Sequence, residues 1–261
     1  MATLTAAQLF TLVDVQARMA LRGDATRLWL SYLWWILEPL LYVAVFYLVF
    51  AVILDSGRAD FLLFLICGKL PFMWFSGSVN TAANSIVMAR GLIGQTRLPK
   101  VMFPLAKVQE SLYRQLAVFA LLLMAVLREG IAPGVHWLWL LPLALVQYLL
   151  IVACAIAAAL LVCAARDFAR AIQLGTVFLL FVSGIFWDVR AIPDPLAQQA
   201  ILTANPLAFI LDGYRQVLMR GTAPDALHLA ALGGACLLAC AALFALVRRL
   251  EYWLARQVLS Q

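Results

Sequence analysis

The segment WLWLLPLALVQYLLIVACAIAAALLVCAA, Trp137 to Ala165, decides the fold, because no Asp, Glu, Lys or Arg interrupts it. About 20 apolar residues carry an α-helix across roughly 30 Å of hydrocarbon. Backbone amides and carbonyls find no water there, so each must be satisfied within its own helix. Working outward, five further apolar runs of similar kind appear: Trp29 to Leu54, Phe61 to Met88, Leu105 to Leu127, Phe168 to Trp187 and Leu227 to Val247. The chain has 261 residues, 66% of them apolar, which leaves little for a soluble domain. The expected fold is an all-α integral membrane protein with six transmembrane helices.

A formal charge of +6 would suit a nucleic-acid binder, but its placement argues against that. Twelve of the nineteen Lys and Arg fall on one side of the expected spans: Arg18, Arg22, Arg27, Arg90, Arg97, Lys100, Lys107, Arg166, Arg170, Arg248, Arg249 and Arg256. Arg58, Arg128, Arg190, Arg215 and Arg220 fall on the other, and Lys69 and Arg114 lie within spans. Basic loops stay in the cytoplasm, so both termini are expected there, in agreement with an even number of spans. No charged stretch leads into a short apolar run with a cleavage site, so no signal peptide is expected. The five cysteines, Cys67, Cys154, Cys163, Cys236 and Cys240, all lie in apolar runs without metal-clip spacing and read as packing residues.

Three segments depart from plain spans. In residues 1–27, Gln8, Thr11, Asp14, Arg18 and Arg22 recur at helical spacing as one polar stripe, and Leu9, Phe10, Leu12, Val13 and Leu21 fill much of the rest. This predicts an amphipathic helix lying at the cytoplasmic headgroups. Residues 90–104 are basic, and Pro99 and Pro104 bracket a short helix-sized piece, which predicts a docking element. Residues 188–226 contain Asp194-Pro195 and Asn205-Pro206, each a capping residue before a proline at the first helical position. They predict two short apolar helices, Pro195 to Ala204 and Pro206 to Met219, too short to cross and therefore re-entrant or interfacial on the outer side. Residues 28–187 then hold spans one to five, residues 227–247 span six, and residues 248–261 a cytoplasmic tail.

The phosphate-cradling loop G-x-x-x-x-G-K-[ST] is absent; the single Gly-Lys pair, Gly68-Lys69, precedes Leu70 inside a span. ATP hydrolysis by this chain is therefore not expected. The two histidines, His136 and His228, sit beside outward loops, and no H-E-x-x-H occurs, so no catalytic or metal site is expected. Ionisable residues inside a membrane mark functional sites or structural pairs. Glu38 and Lys69 are such residues, and either a polar path or a structural role fits them. Glu110 and Arg114, four apart in the favourable order on a helix, read as a structural pair. Trp35, Tyr42, Phe46 and Phe50 form a ring stripe on the first span near Glu38, and the second span adds Phe72, Trp74 and Phe75. Helix packing explains such rings, and so does a route for sugars, whose C–H faces suit aromatic planes.

Five stretches, in order and nearly end to end, resemble permeases of ABC-type polysaccharide exporters. They are SYLWWILEP (Ser31 to Pro39), LIGQTRLPKVMFP (Leu92 to Pro104), Arg166-Asp167, SGIFWDV (Ser183 to Val189) and NPLAFILDGYR (Asn205 to Arg215). The resemblance implies a homodimer, forming a twelve-span pore in the bacterial inner membrane above two copies of a separate ABC ATPase subunit. ATP and Mg would be bound by those partners, with no cofactor on this chain. The N-terminal helix would be an interface helix, and Leu92, Arg97, Pro99 and Lys100 would couple to the ATPase. The outer helices would be gates, with Asn205, Pro206 and Arg215 as gate residues. Trp35, Glu38, Tyr42, Phe46, Lys69, Phe72 and Phe75 would line the substrate path. The substrate would be a lipid-linked surface polysaccharide. SYLWWILEP is closer to capsule permeases, whereas KVMFP and SGIFW are closer to O-antigen and teichoic acid permeases. The balance leans to O-antigen on polyprenyl diphosphate, with capsule, a drug or a simple lipid as alternatives.

Overall fold

The computed structural model describes residues 5–27, 37, 38, 40–42, 44, 45, 47–49, 60–95 and 98–260. Ala6–Arg27 forms α1, and Phe61–Ala83 forms α2. Ser85–Met88 (α3) and Arg90–Gln95 (α4) follow as short turns of helix. Met102–Arg128 is α5, and Leu140–Ala164, preceded by the 3-10 turn Val135–Trp139, is α6. Phe168–Val182 is α7, Pro195–Ala204 is α8 and Pro206–Arg215 is α9. A π turn, Gln216–Arg220, then leads to α10 (Ala226–Arg249) and α11 (Glu251–Ser260). No strand occurs among the described residues.

Four helical stretches among the described residues are long and apolar enough to cross a membrane: Phe61–Ala83, Met102–Arg128, Val135–Ala164 and Ala226–Arg249. The first expected span falls largely outside the described residues, although those described between 37 and 49 are helical. The expected run Phe168 to Trp187 is a helix of only 15 residues, about 22 Å at 1.5 Å per residue. It stops where Gly184 adopts a left-handed conformation, φ 71°, which a residue with a side chain rarely takes.

Helix α2 is the centre of the bundle, packing against α5, α6, α7 and α9. Most of its residues are buried, Lys69 and Ser78 among them, as in a helix surrounded by protein. Pro71 within it weakens the local backbone ladder, and buried Gln147 of α6 donates Nε2–H to the Pro71 carbonyl at 2.7 Å. Helix α10 shows mostly its apolar surface, with Leu237 55% and Leu238 75% exposed, which suits hydrocarbon rather than water. All five cysteines are free and buried or half-buried.

Helix α1 begins at a reciprocal cap, Thr5 N–H to Gln8 Oε1 at 2.9 Å and Gln8 N–H to Thr5 Oγ1 at 3.3 Å. It lies along α5, burying Val13 and Ala17. The expected polar stripe is split by that packing: Tyr113 of α5 donates its hydroxyl to Asp14, and Arg18 lies over the Tyr113 ring. The Tyr113 hydrogen bond, with help from Arg18, holds the Asp14 carboxyl below its usual range.

Two local expectations shift. The helix of the basic segment is α4, ahead of Pro99 rather than between the two prolines, because Pro104 is taken into the first turn of α5. The expected tail instead carries α11, which packs on α4 and on the end of α6 with Leu254 and Val258 fully buried. Arg90 Nη2 donates to the Leu259 carbonyl at 3.1 Å, and Gln257 Nε2 to Ala164 at 3.4 Å. Leu250, Leu254 and Val258, four apart, are the signal for this helix in the sequence.

Candidate functional site

The outer segment is built from its caps. Asp194 Oδ1 accepts the Leu196 amide at 2.9 Å and starts α8; Asn205 Oδ1 accepts Leu207 N–H at 3.1 Å and Ala208 N–H at 3.2 Å and starts α9. Each satisfies amides that a helix start leaves open, and Pro195 and Pro206 occupy positions needing no amide. Asn205 also donates Nδ2–H to Ser183 Oγ at 3.0 Å, tying α9 to the end of α7. Gly213 lets α9 approach α6, since a Cβ there would stand 2.7 Å from Leu143 Cδ2.

Arg215 ends α9 and is 2% exposed. Its Nη1 donates to the Gly184 carbonyl at 2.6 Å, Nη2 to Ile185 at 3.0 Å and Nε to Phe64 at 3.3 Å. The guanidinium also lies 3.5 Å from the Phe64 ring centroid. One planar fork therefore closes the frayed end of α7 and fixes it to α2. Gly68 makes room for it, because a Cβ there would strike the guanidinium. The family resemblance put Arg215 in the gate; the structure gives it main-chain partners.

A charge cluster surrounds Asp212, a residue the sequence reading did not single out. Its side chain is 2% exposed and pairs with Arg190 Nη2 at 2.8 Å and Arg220 Nη1 at 3.1 Å, and accepts from Gln216 Nε2 at 2.7 Å. Arg220 also pairs with Asp188 at 2.7 Å. Asp212 draws the Arg190 guanidinium above its ordinary range, chiefly by their hydrogen bond. Spacing alone offers a partial signal: Asp212 and Gln216 are one helical turn apart, whereas Arg190 joins from the preceding loop.

The expected path residues separate in space. Trp35 and Phe46, with Arg97 of the coupling set, lie outside the described residues. Lys69 is 6% exposed, with Nζ 5.4 Å from the Tyr42 ring and 5.9 Å from the Phe72 ring. Both distances suit a cation held over aromatic faces. Tyr42 is 48% exposed, while Phe72 and Phe75 are buried. Glu38, one turn before Tyr42, borders a cavity with Met73, Trp74 and Gly77 of α2. Falling numbers on the first span thus meet rising numbers on α2, the relation of an antiparallel pair.

The same cavity, about 280 Å³, is closed by Lys107, Glu110, Ser111, Arg114 and Gln115 of α5. Glu110 accepts from Lys107 Nζ at 2.8 Å and from Arg114, the expected pair plus one more cation. Ser111 and Ser78 share a hydrogen bond of 2.6 Å. Trp74 Nε1 and Gln115 Nε2 are buried donors with no hydrogen-bond partner among the described residues. Leaving such a donor unsatisfied costs about 1–3 kcal/mol, so each calls for an explanation. In the basic segment, Leu92 is 38% exposed, Pro99 half-buried, and Lys100 buried with Nζ donating to the Leu98 carbonyl at 3.0 Å.

Residues 8–219 match the family model of the ABC-2 type transporter. The chain belongs to the ABC-2 type transporter family. This ABC-2 chain is similar to proteins named O-antigen export system permease protein RfbA. One from Klebsiella pneumoniae is 27% identical over 215 residues, 82% of each chain. A second from Klebsiella pneumoniae is 28% identical over 192 residues, 73% of each chain. One from Myxococcus xanthus is 26% identical over 224 residues, 86% of this chain and 85% of the relative. Family and apolar helices together make it a multi-pass membrane protein and a transport subunit.

Proposed function

We propose that this chain is the transmembrane subunit of an ABC exporter that moves a lipid-linked surface polysaccharide, O-antigen-like and carried on polyprenyl diphosphate, across the bacterial inner membrane. The observation that carries this reading is the likeness to O-antigen export permeases over 73–86% of the chain. Two copies form the pore, and two ATPase subunits bind and hydrolyse ATP with Mg on the cytoplasmic side, where both termini lie. The carrier phosphate meets the basic end of the bundle, and the polymer passes between the two first spans along Trp35, Tyr42 and Phe46. The exposure of Tyr42 supports a wall position for it, with Lys69 and Phe72 behind. The short helices α8 and α9 act as the outer gate. A capsule-type substrate is the second reading, favoured by SYLWWILEP at Ser31 to Pro39.

Depleting the chain in its host, then assaying glycan at the surface and inside, tests the function. Loss at the surface with internal accumulation is expected, and mass spectrometry of the trapped polymer should find a polyprenyl anchor. A phospholipid anchor moves the reading to capsule, and normal surface glycan in the absence of a second exporter removes polysaccharide altogether. Coupling through residues 90–104 predicts that Leu92→Asp together with Arg97→Glu weakens ATPase capture at least tenfold in co-purification. Undiminished capture with normal stimulated hydrolysis would remove this segment from the docking surface.

A further inference from the structure

We propose that α11 is the positioning element of the docking segment: it pins the six-residue helix α4 to the end of α6, so that the ATPase meets a docking helix already in place. This rests on the docking reading of residues 90–104 and gives that segment a support within the same chain.

Helix α4 is too short to hold its own place. Arg90–Gln95 spans 6 residues, and isolated helices below about 12–15 residues are marginal even when built of good helix formers. Gly91 and Gly94 are poor ones, because glycine loses the most backbone freedom on ordering. Of its described side chains only Ile93 is buried. Contacts from outside must therefore fix α4. Beyond the preceding turn α3, these come chiefly from α11 among the described elements.

Helix α11 grips α4 and α6 at once. Arg90 Nη2 donates to the Leu259 carbonyl at 3.1 Å, in the last turn of α11, where a helix leaves acceptors open and its dipole favours a cation. A Cβ built on Gly94 would lie 3.6 Å from Leu259 Cδ2, so the backbone of α4 and a side chain of α11 are in ordinary contact. Leu254 and Val258 are 0% and 1% exposed and share one apolar cluster with Ile93 of α4 and Cys163 of α6. Gln257 Nε2 reaches the carbonyl of Ala164, the last residue of α6, at 3.4 Å. A docking segment that became ordered only on meeting its partner would lose affinity to that ordering, whereas one already fixed does not. The bridge also carries a push on α4 to two helices of the bundle, α2 through the chain and α6 through α11.

The test uses the full chain in nanodiscs with the host's own ATPase subunit. Leu254→Asp with Val258→Asp lifts α11 away from α6, and Arg90→Glu sets a carboxylate against the carbonyl end of α11 without touching the core. In the double variant, hydrogen exchange in residues 90–95 should quicken roughly tenfold while α2 and α5 keep their protection. ATPase binding should weaken roughly tenfold, as for ordering about one residue, and three- to tenfold in Arg90→Glu. Adding Gly94→Cys and Leu259→Cys to Arg90→Glu allows a second tie, a short bis-methanethiosulfonate linker. Linking should return binding to within about twofold of the parent, and cleavage by reductant should remove it again.

Unchanged exchange in residues 90–95 when α11 is lifted overturns the proposal, since α4 then holds its place unaided. A loss of binding in Arg90→Glu that the linker does not restore also overturns it, and assigns Arg90 to the ATPase itself. Faster exchange with undiminished binding overturns it too, and the Leu92→Asp, Arg97→Glu chain then locates the fault. If that chain loses capture, the docking reading stands and only the support by α11 falls; if it keeps capture, the docking reading falls as well.

Discussion

Replacing Arg215 by alanine should strip the protein from the membrane or lower its unfolding midpoint in nanodiscs by roughly 10 °C. Three main-chain partners would be stranded. Gly184, Ile185 and Phe64 each accept a hydrogen bond from this one guanidinium, at 2.6, 3.0 and 3.3 Å. Removing a charged donor forfeits about 1.5–3 kcal/mol per bond and leaves buried carbonyls without the water that would replace it. The cation over the Phe64 ring is lost as well, worth about 2 kcal/mol when desolvated. Against these stands the relief of no longer burying a charge, which is why the expected net is about 3–5 kcal/mol rather than their sum.

Arg215→Met separates shape from charge, and Arg215→Lys separates charge from the fork. A methionine fills most of the volume but donates nothing. A lysine keeps the charge as a point and cannot span carbonyls on both α2 and the end of α7. Wild type, lysine, methionine is the expected order of stability. A methionine variant as stable as the parent would show that Arg215 is held for transport and not for the fold.

Arg215 also marks how far the sequence could be read. Composition and run length give the helical membrane class, because lipid admits few alternatives and a charge-free run such as Trp137 to Ala165 admits one. The caps at Asp194 and Asn205 are legible for a local reason: the capping side chain and the proline that follows act within three residues of each other. Arg215 and Asp212 are not legible in this way. Their partners lie 151 residues away at Phe64 and 22 away at Arg190, and no spacing rule connects residues across separate helices. Helix α11 failed for another cause: a single buried stripe of Leu250, Leu254 and Val258 among charges reads as a solvated tail until α4 and α6 supply a surface for it. The cavity combines both cases. Glu110 and Arg114 were visible as a helical pair, whereas the approach of Glu38 and Trp74 needed the packing of α2.

Asp212→Leu should destabilise the outer segment by about 3–5 kcal/mol, the usual consequence of removing one partner from a buried ion pair. The carboxylate is 2% exposed and sits between two guanidiniums whose own charges cannot be neutralised at accessible pH. Without it, Arg190 loses its Nε and Nη2 contacts with α9, while Arg220 retains Asp188. Damage should therefore be local. Hydrogen exchange should accelerate in residues 188–220 and leave α2, α5 and α6 protected, since these are held by apolar packing that Asp212 does not touch. Exposure predicts a gradient among the partners. Arg190 is 44% exposed, so solvent screens its share and Arg190→Met should cost only about 1 kcal/mol. Asp212→Asn keeps the shape and an acceptor for Gln216 but leaves two cations facing a neutral amide, so it should fall between the two. Equal effects of Arg190→Met and Asp212→Leu would mean that the cluster is worth no more than its most exposed pair. The large difference expected instead follows from one buried carboxylate serving as the common anion for the loop before α8, the end of α9 and the π turn that follows it.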